Sequence, residues 1–282
     1  MRLANLDGRA TIVTESGGVD VETASAGRFG SDVHALYQDW SAFRAAGDEL
    51  AGPTATVQPI DESLLAAPSP RPTQIFAIGL NYKAHAEETG ATIPTVPATF
   101  TKFQSCLTGP FAEVALPSAH VDWEVELVLV IGTRASRVAE ADGWSHLAGV
   151  TVGQDLSERI VQFAAGAQFS LGKSYAGFGP TGPWLVTPDE LARRDDLGLG
   201  CSVDGEVLQA SRTSDMAFGV GRLVAELSAV VTLFPGDVVF TGTPSGVGAA
   251  RKPPRFLQPG NVLETWIEGI GTMRNRLVGG EF

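Results

Sequence analysis

Residues 122–131 constrain the fold of this 282-residue chain more than any other stretch. They read Asp-Trp-Glu-Val-Glu-Leu-Val-Leu-Val-Ile, and such an apolar, β-branched run predicts a buried strand. Side chains two positions apart on a strand share a face, so Glu124 and Glu126 are expected to project side by side. The five odd-numbered residues from Trp123 to Ile131 are expected to take the opposite, buried face.

The two glutamates would lie about 7 Å apart on one strand and repel each other unless a positive charge neutralises them. A hard divalent cation such as Mg²⁺ or Mn²⁺ would do so, because these ions prefer carboxylate oxygens. The alternative is a pair of solvated glutamates on the outer face of an edge strand. The apolar character of the strand and a second acidic cluster further along the chain favour the metal interpretation.

That second cluster, Gly153-Gln-Asp-Leu-Ser-Glu-Arg159, precedes a helix predicted over about 156–165. Asp155 is a suitable N-cap for this helix, and Glu158 would complete a capping box. The same carboxylate, held at a helix start, could also serve as a third metal ligand. Three carboxylates and one divalent ion leave one negative charge, and Lys173 is the candidate cation to offset it.

Composition and charge restrict the partners of the chain. Hydrophobic residues make up 44% and charged residues 18%, which excludes intrinsic disorder. The net charge of −12 argues against nucleic acid and anionic membranes as partners. No apolar run approaches the ~18 residues of a membrane span, and residues 1–7 lack a signal-like stretch. We therefore expect a cytoplasmic protein, in which Cys106 and Cys201 are small buried hydrophobes.

The proline-rich segment 66–73 predicts a domain boundary, because proline neither donates to a β ladder nor continues a helix. Residues 1–68 are interpreted as a small N-terminal α/β domain with its linker, containing short strands and one helix over 32–46. Residues 69–282 are interpreted as the main domain.

The main domain is predicted to be rich in strands, which are separated by turns such as the hairpin at Asp204-Gly205. Its helices, near 82–89, 156–165 and 220–232, are too few to alternate with every strand. The pattern therefore predicts an α+β fold and disfavours a doubly wound parallel sheet.

A histidine and a carboxylate share one face of the helix predicted after Asn81, its expected N-cap. His85 and Glu88 are three residues apart, so they are neighbours on the helix surface. A histidine oriented by a carboxylate is a common general base, although the pair could also be an ordinary surface ion pair. The remaining histidines, 34, 120 and 146, have no neighbours in sequence that suggest chemistry.

Two glycine-containing segments do not support nucleotide binding. Gly172-Lys173-Ser174 lacks the earlier glycine of a phosphate loop, because position 167 is alanine, and it follows a helix rather than a strand. Gly219 and Gly221 lack the third glycine of a dinucleotide motif. The turn within residues 235–248, dense in Gly, Thr, Pro and Ser, could instead hold a carboxylate on its amides and hydroxyls.

In combination, seven segments in order over about residues 74–278 resemble the fumarylacetoacetate hydrolase family. They are Gly79-Leu80-Asn81-Tyr82 with His85 and Glu88, residues 122–127, residues 155–162, Lys173-Ser174, Gly182-Pro183-Trp184, residues 235–248 and Glu268-Gly269-Ile270-Gly271. The resemblance implies a mixed, strongly twisted β-roll main domain, a small N-terminal domain and a homodimer.

The resemblance also implies roles for individual residues. The metal ligands for Mg²⁺ or Mn²⁺ would be Glu124, Glu126 and Asp155. The substrate, a small anionic 2-oxo acid, would contact Lys173, Gln162 and Thr243, with Arg159 either in this group or purely structural. The catalytic group would be His85, supported by Glu88 on a mobile lid, together with Lys173.

The chemistry implied is hydrolysis of a carbon–carbon bond in a 2,4-dioxo acid such as an acylpyruvate or fumarylpyruvate, with His85 activating water. The same site could instead serve an oxaloacetate-type decarboxylase, an enol–keto isomerase, a lyase or a non-catalytic binding protein. Hydrolysis is the reaction among these that needs the water-activating base. The chain departs from the family pattern at Gln154, Ala176 and Asn261, and the missing acid at 176 bears mainly on substrate identity.

Overall fold

The computed structural model describes residues 1–280, and strands dominate that part of the chain. The strands are β1 Arg2–Leu6, β2 Arg9–Thr14, β3 Gly17–Asp20, β4 Leu65–Ala66, β5 Ile75–Gly79, β6 Ala98–Thr101, β7 Leu107–Thr108, β8 Glu113–Leu116, β9 Val121–Asp122, β10 Val125–Ile131, β11 Leu147–Gln154, β12 Ser157–Glu158, β13 Gly179–Val186, β14 Gly198–Val203, β15 Glu206–Arg212, β16 Val238–Phe240, β17 Val262–Ile267 and β18 Gly271–Gly279. The α-helices are α1 Val21–Ala24, α2 Val33–Gln38, α3 Trp40–Leu50, α4 Lys83–Glu88, α5 Arg159–Ala164 and α6 Val220–Val230.

The strands form one large sheet, one medium sheet and one small sheet. The large sheet runs β3-β2-β1-β13-β11-β10-β16-β5-β6, with β4 beside β1 and β7 beside β13. The medium sheet runs β15-β14-β17-β18-β8, and β9 pairs with β12. Most neighbours are antiparallel, whereas β16–β5, β13–β7 and β18–β8 are parallel. Mixed sheets with few helices confirm the predicted α+β class.

The N-terminal strands extend the large sheet, because β1 pairs with β2 on one side and with β13 on the other. The register places Arg2 opposite Val186 and Leu3 opposite Leu185. The domain boundary at 68/69 stays a prediction, and residues 281 and 282 of the second predicted domain lie outside the described residues. None of the helices in the described chain has the length and apolar character needed to span a membrane.

The helix predicted over 32–46 is two helices, so that prediction is wrong in detail. The chain breaks at Asp39, whose φ of −130° and ψ of 44° are not helical, and α3 then continues to Leu50. The break places Tyr37 and Trp40 on adjacent helices, where their rings stack at 5.5 Å between centroids. Both rings belong to the apolar cluster that covers one face of the large sheet.

The central strand β10 is buried on both faces. Leu127 and Leu129 belong to the core shared with the medium sheet, whereas Val128 and Val130 pack in the cluster beneath the N-terminal helices. The strand begins at Val125, three residues after the start of the run over 122–131 that predicts it. The interpretation of two solvated glutamates on an edge strand is therefore wrong, because β10 lies between β11 and β16 and both Glu124 and Glu126 are buried.

Asn81 does not cap the helix that follows it, contrary to the prediction. Tyr82 is at the N-cap of α4 and makes no side-chain capping bond. The Asn81 amide is instead fully buried, donating to the carbonyls of Phe218 and Thr241 and accepting from the Phe218 N–H. Asn81 thus ties the start of α4 to two distant segments. The predicted hairpin at Asp204-Gly205 is confirmed, and the positive φ of both residues is typical of a type I′ turn.

Candidate active site

Three buried carboxylates meet where β10 begins and β11 ends. Glu126 lies on β10, Glu124 directly precedes it, and Asp155 directly follows β11, because Val125 pairs with Gln154. One ligand oxygen from each of the three carboxylates lies within 4.8 Å of the others. The sheet register therefore brings together residues from two separate stretches of sequence.

Gln154 holds the two sides of this carboxylate triad (Glu124, Glu126 and Asp155) together. Its side-chain oxygen accepts from the Glu124 N–H at 2.8 Å, and its amide nitrogen donates to Thr265 Oγ1 at 3.0 Å. The Asp155 N–H donates in turn to the Glu124 carbonyl at 2.9 Å. The glutamine that departs from the family pattern therefore bonds to the backbone of a triad residue.

The predicted capping box at 155–158 is wrong. Helix α5 begins only at Arg159, and its N-cap is Glu158, whose carboxylate accepts from the Val161 N–H at 2.6 Å. Residues 157–158 form strand β12 instead of a helical turn. Asp155 is therefore not used as a cap, and its carboxylate remains in the triad.

Two buried lysines bond to the triad. Lys173 Nζ lies 2.7 Å from Glu124 Oε2 and 2.6 Å from Asp155 Oδ2. Lys102 Nζ lies 2.6 Å from Asp155 Oδ1 and also donates to the carbonyls of Lys173 and Phe178. The sequence reasoning missed Lys102. A lysine between aromatic residues directly after a strand, in Phe100-Thr-Lys-Phe103, is the signal that could have found it.

Gly172 brings Lys173 close to helix α5. A Cβ atom at this position would lie 2.3 Å from the backbone nitrogen of Gln162, so only glycine fits. The Gly172 carbonyl also accepts from the Glu158 N–H at 2.7 Å. The glycine that suggests a phosphate loop in the sequence thus allows close packing against α5. Because of this packing, Lys173 and Gln162 lie at the same site.

Arg159 joins the triad to a fourth carboxylate, Asp122. Its Nε and Nη2 donate to Asp122 Oδ2 at 2.9 and 2.6 Å. Its Nη1 lies 2.8 Å from Glu124 Oε1 and 2.9 Å from Gln162 Oε1. The guanidinium is largely buried, so it is held in one orientation beside the triad.

The charges of this cluster leave one carboxylate without a cation. Four carboxylates (Glu124, Glu126, Asp155 and Asp122) face three cations (Lys102, Lys173 and Arg159), which leaves a net charge of −1. No lysine or arginine within the described residues is paired with Glu126, which accepts a hydrogen bond from the Gly242 N–H at 2.7 Å. The excess negative charge therefore resides on one member of the triad.

The pKa values of the two glutamates move in opposite directions for this reason. Burial, together with the charges of Asp155 and Glu124, raises the pKa of Glu126 well above its usual range. Burial would also raise the pKa of Glu124, but the charges of Lys173 and Arg159 outweigh it and hold that pKa at about 2. A divalent cation suits this site, because hard cations take carboxylate oxygens and Glu126 lacks a positive partner.

His85 and Glu88 stand on another wall of the same cleft. His85 Nδ1 lies 2.8 Å from Glu88 Oε1, and Glu88 Oε2 accepts from the Gly246 N–H at 2.9 Å. The imidazole is mostly buried, with its side chain 10% exposed. The carboxylate therefore fixes one ring nitrogen and leaves Nε2 as the nitrogen available to a substrate or water.

One backbone segment, the turn at residues 241–249, is held by three carboxylates of the site. The Gly242 N–H donates to Glu126, and the Gly246 N–H donates to Glu88. The N–H groups of Gly248 and Ala249 donate to Asp122 at 2.7 and 2.9 Å. The turn thus connects the triad, the histidine partner and the arginine partner.

The cleft above the triad has a volume of about 520 Å³. Seven of the nine predicted site residues line it: His85, Glu88, Glu124, Arg159, Gln162, Lys173 and Thr243. The remaining two, Glu126 and Asp155, lie beneath it in the triad. Thr243 Oγ1 accepts from Gln209 Nε2 at 2.9 Å, so its position is fixed from behind. The structure therefore brings all nine together, while their individual roles stay predictions.

A family model described as the C-terminal domain of fumarylacetoacetate hydrolase matches residues 74–278. The chain belongs to the fumarylacetoacetate hydrolase family. The match spans the triad, both lysines, the histidine pair and the turn at residues 241–249, so the whole site lies within the family domain.

Relatives within this enzyme family carry different activities in their names. Mitochondrial oxaloacetate tautomerase FAHD2A from Bos taurus is 43% identical over 225 residues, which cover 79% of this chain and 72% of that protein. The 2,4-didehydro-3-deoxy-L-rhamnonate hydrolase of a Sphingomonas strain is 46% identical over 207 residues, covering 72% and 73%. The names of these relatives therefore include both a hydrolase and a tautomerase, and similarity alone does not choose between the two reactions.

Solved structures share the fold over the full chain. A crystal structure of a Mycobacterium smegmatis protein has 51% identity and a TM-score of 0.93, with complete coverage of both chains. Maleylpyruvate hydrolase from Sphingobium sp. SYK-6, solved with manganese(II) and pyruvate, has 29% identity and a TM-score of 0.82, again with complete coverage. A member of this fold family thus binds a divalent ion together with a 2-oxo acid.

Proposed function

We propose that this chain is a divalent-metal-dependent hydrolase that cleaves a carbon–carbon bond in a small 2,4-dioxo acid. The observation that carries the proposal is that the carboxylate triad and the His85–Glu88 pair border one cleft of about 520 Å³. The triad suits Mg²⁺ or Mn²⁺, and the histidine pair suits a base that activates water.

Glu124, Glu126 and Asp155 would hold the metal ion. When bound, such an ion supplies Lewis-acid stabilisation of the negative charge that the 2-oxo acid develops. It also changes the net charge of the buried cluster from −1 to +1, which suits an anionic substrate.

Lys173, Gln162 and Thr243 would bind the carboxylate and oxygens of the substrate head. All three line the cleft, and each is held by a hydrogen bond to another side chain: Lys173 to Asp155, Gln162 to Arg159 and Thr243 to Gln209. Arg159 borders the same region, but its guanidinium already bonds Asp122, Glu124 and Gln162. We propose that Arg159 orients Glu124 and Gln162 and contacts substrate only secondarily.

His85 would act as the general base. With Nδ1 held by Glu88, Nε2 takes a proton from water, and the resulting hydroxide adds to the C4 carbonyl. The C3–C4 bond then breaks, and its electron pair moves to C3 of the 2-oxo fragment. Protonation at C3 gives pyruvate, and the other fragment leaves as a carboxylic acid, so one water is consumed for each bond cleaved.

Enol–keto tautomerisation is the second candidate. It is favoured by the mitochondrial relatives named oxaloacetate tautomerases, including the Homo sapiens protein, which is 43% identical over 225 residues. The same base could move a proton at C3 of a 2-oxo acid without consuming water. The two reactions therefore differ in their products and in whether His85 must activate water.

The test compares acetylpyruvate and oxaloacetate as substrates of the purified protein with Mg²⁺ or Mn²⁺. Pyruvate and acetate formation reports hydrolysis, the ultraviolet enol band reports tautomerisation, and CO₂ release reports decarboxylation. We expect acetylpyruvate cleavage, loss of that cleavage in chelator, and a decrease of about 10²- to 10⁴-fold in His85→Ala. His146→Gln is the control, because His146 lies outside the cleft and contacts Thr133.

Two results would contradict the proposal. Tautomerisation or decarboxylation of oxaloacetate without any cleavage of acetylpyruvate would overturn the hydrolase assignment. Unchanged cleavage in His85→Ala would overturn the role of His85. A homodimer, a cytoplasmic location and the absence of nucleic-acid and membrane partners stay predictions from the sequence.

A further inference from the structure

Three phenylalanines form an aromatic rim along the cleft. Phe100 from β6, Phe163 from α5 and Phe169 from the following loop all line it. The Phe169 ring packs edge-on against both others, at 5.6 Å from Phe100 and 5.4 Å from Phe163 between centroids. Phe163 is 58% exposed, which is unusual for so large an apolar side chain.

The aromatic rim is continuous with the charged floor of the cleft, which consists of the carboxylate triad with Lys102, Lys173 and Arg159. Lys173 Nζ lies 5.2 Å from the centroid of the Phe100 ring, so this ring stands directly beside the cation expected to bind the substrate head. Apolar side chains, among them Ile78, Leu80 and Val247, line other parts of the cleft. A substrate held by its head at the floor therefore meets apolar surface at its other end.

The cations that line the cleft all lie at its floor. Within the described residues, the lining includes two permanent cations, Arg159 and Lys173, and both are paired with carboxylates. Arg251 does not line the cleft, and its guanidinium instead bonds the carbonyls of Leu208 and Gly246 and lies over the Trp123 ring. Among residues 1–280, no lysine or arginine lines the rim to pair with a second carboxylate on the substrate.

We propose that the distal group of the substrate is uncharged and apolar, an alkyl or aryl acyl group instead of a second carboxylate. This inference rests on the proposed function for the identity of the head group. A carboxylate placed among the three rings would lose its hydration without gaining a cation, whereas an apolar group buries surface there. Acylpyruvates with apolar tails are therefore preferred over dicarboxylic 2-oxo acids.

The test measures binding separately from catalysis. Isothermal titration calorimetry of the Mn²⁺-loaded protein compares 2-oxohexanoate with 2-oxoadipate, which differ by a terminal methyl against a terminal carboxylate on chains of equal length. We expect at least tenfold tighter binding of 2-oxohexanoate. Equal affinity, tighter binding of 2-oxoadipate or no binding of 2-oxohexanoate would overturn the proposal.

Variants locate the effect on the aromatic rim. Phe169→Ala is expected to weaken 2-oxohexanoate binding about tenfold and to leave pyruvate binding unchanged, because pyruvate has no tail. Phe163→Arg is expected to strengthen 2-oxoadipate binding, since it adds a cation at an exposed position. Phe234→Ala is the control, an exposed phenylalanine outside the cleft. Identical effects of Phe169→Ala on both ligands and on pyruvate would contradict a tail subsite.

The two proposals fail in distinguishable ways. If acetylpyruvate is never cleaved, the hydrolase assignment is wrong, yet the binding comparison still reports the preference of the rim. If acetylpyruvate is cleaved but 2-oxoadipate binds as tightly as 2-oxohexanoate, the hydrolase assignment stands and the apolar tail is wrong.

Discussion

The floor and the aromatic rim of the cleft lie a few ångströms apart, but they consist of different kinds of side chain on different kinds of backbone. The floor consists of charged groups at strand ends, such as Glu126 and Asp155, and these are buried and bonded to backbone or to lysine. The rim consists of rings on a short helix and a loop, and one of them, Phe163, is largely exposed. Sheet register fixes the first group, whereas the rim is held mainly by contacts between rings.

This difference assigns the reaction to the floor and the choice of substrate to the rim. A displaced floor residue would leave buried charges without partners, so the floor tolerates little change. A changed rim residue alters mainly the surface offered to the substrate, because loops on a rigid scaffold vary more easily. Relatives with hydrolase and tautomerase names are thus compatible with one common site.

The largest effect is expected at Glu126. Glu126→Gln should lower metal-dependent activity by about a hundredfold or more, because a charged ligand of the triad is lost. The metal-free protein should be at least as stable as the wild type, since the substitution removes a buried carboxylate that has no cation. Activity assays over a Mn²⁺ titration and urea unfolding in chelator provide the measurements. If the metal-free variant is less stable than the metal-free wild type, Glu126 is not an uncompensated buried charge.

Lys102 tests whether the floor depends on paired charges. Lys102→Met should destabilise the protein by about 3–5 kcal/mol, because it leaves Asp155 without one of its buried cations. Lys83→Met is the control, since Lys83 is exposed and its ion pair with Glu87 is long, at 3.9 Å. Such an exposed pair contributes about 0–1 kcal/mol to stability. Urea unfolding measures both variants. Equal stability of the two would show that the floor tolerates loss of a cation.

Metal binding is expected to stabilise the floor. At a Mn²⁺ concentration a hundred times its dissociation constant, the free energy of unfolding should increase by about 2.7 kcal/mol. The increase should fall to about 1.4 kcal/mol or less in Glu126→Gln, if that ligand contributes at least tenfold to affinity, and persist in Phe163→Ala. Chemical unfolding with and without Mn²⁺ checks this, and an undiminished stabilisation of the Glu126→Gln variant would argue for a different ion site.

The smallest effect on stability is expected for a phenylalanine of the rim, and a buried phenylalanine provides the contrast. Phe163→Ala should change stability by less than about 1 kcal/mol, because the ring is largely exposed. Phe240→Ala should cost about 3–5 kcal/mol, because that ring is fully buried beneath Lys102, whose Nζ lies 5.6 Å from its centroid. Thermal unfolding of the two variants compares them directly. Similar losses would mean that the rim is part of the core.

The sequence could single out the members of the triad because the pattern that marks each of them is local. Glu124 and Glu126 flank one apolar strand start, Asp155 ends the next long apolar run, and the family resemblance supplied the order of the segments. The His85–Glu88 contact is likewise local, since it spans three positions on one helix. Local patterns therefore singled out each group, whereas the family resemblance linked Asp155 to the two glutamates, which lie in a separate stretch of sequence.

Long-range contacts account for what the sequence could not predict. Lys102 bonds Asp155 across 53 positions, and the aromatic residues beside Lys102 mark it as unusual without indicating that partner. The start of α5 at Arg159 depends on residues 157–158 pairing with β9, a contact that local capping preferences do not contain. Likewise, burial of Glu124 and Glu126 depends on Lys173, Arg159 and Gly242, which reach them from distant parts of the sequence.

The turn at residues 241–249 limits how this protein can diversify. Because its amides bond Glu126, Glu88 and Asp122, an insertion or deletion there would disturb the metal ligand, the base and the arginine partner in a single event. Loop length is usually the easiest property of an enzyme to alter, yet here it is fixed by the chemistry. Evolution or engineering of new specificities must therefore proceed by exchanging side chains around the opening, with the backbone of this segment left intact.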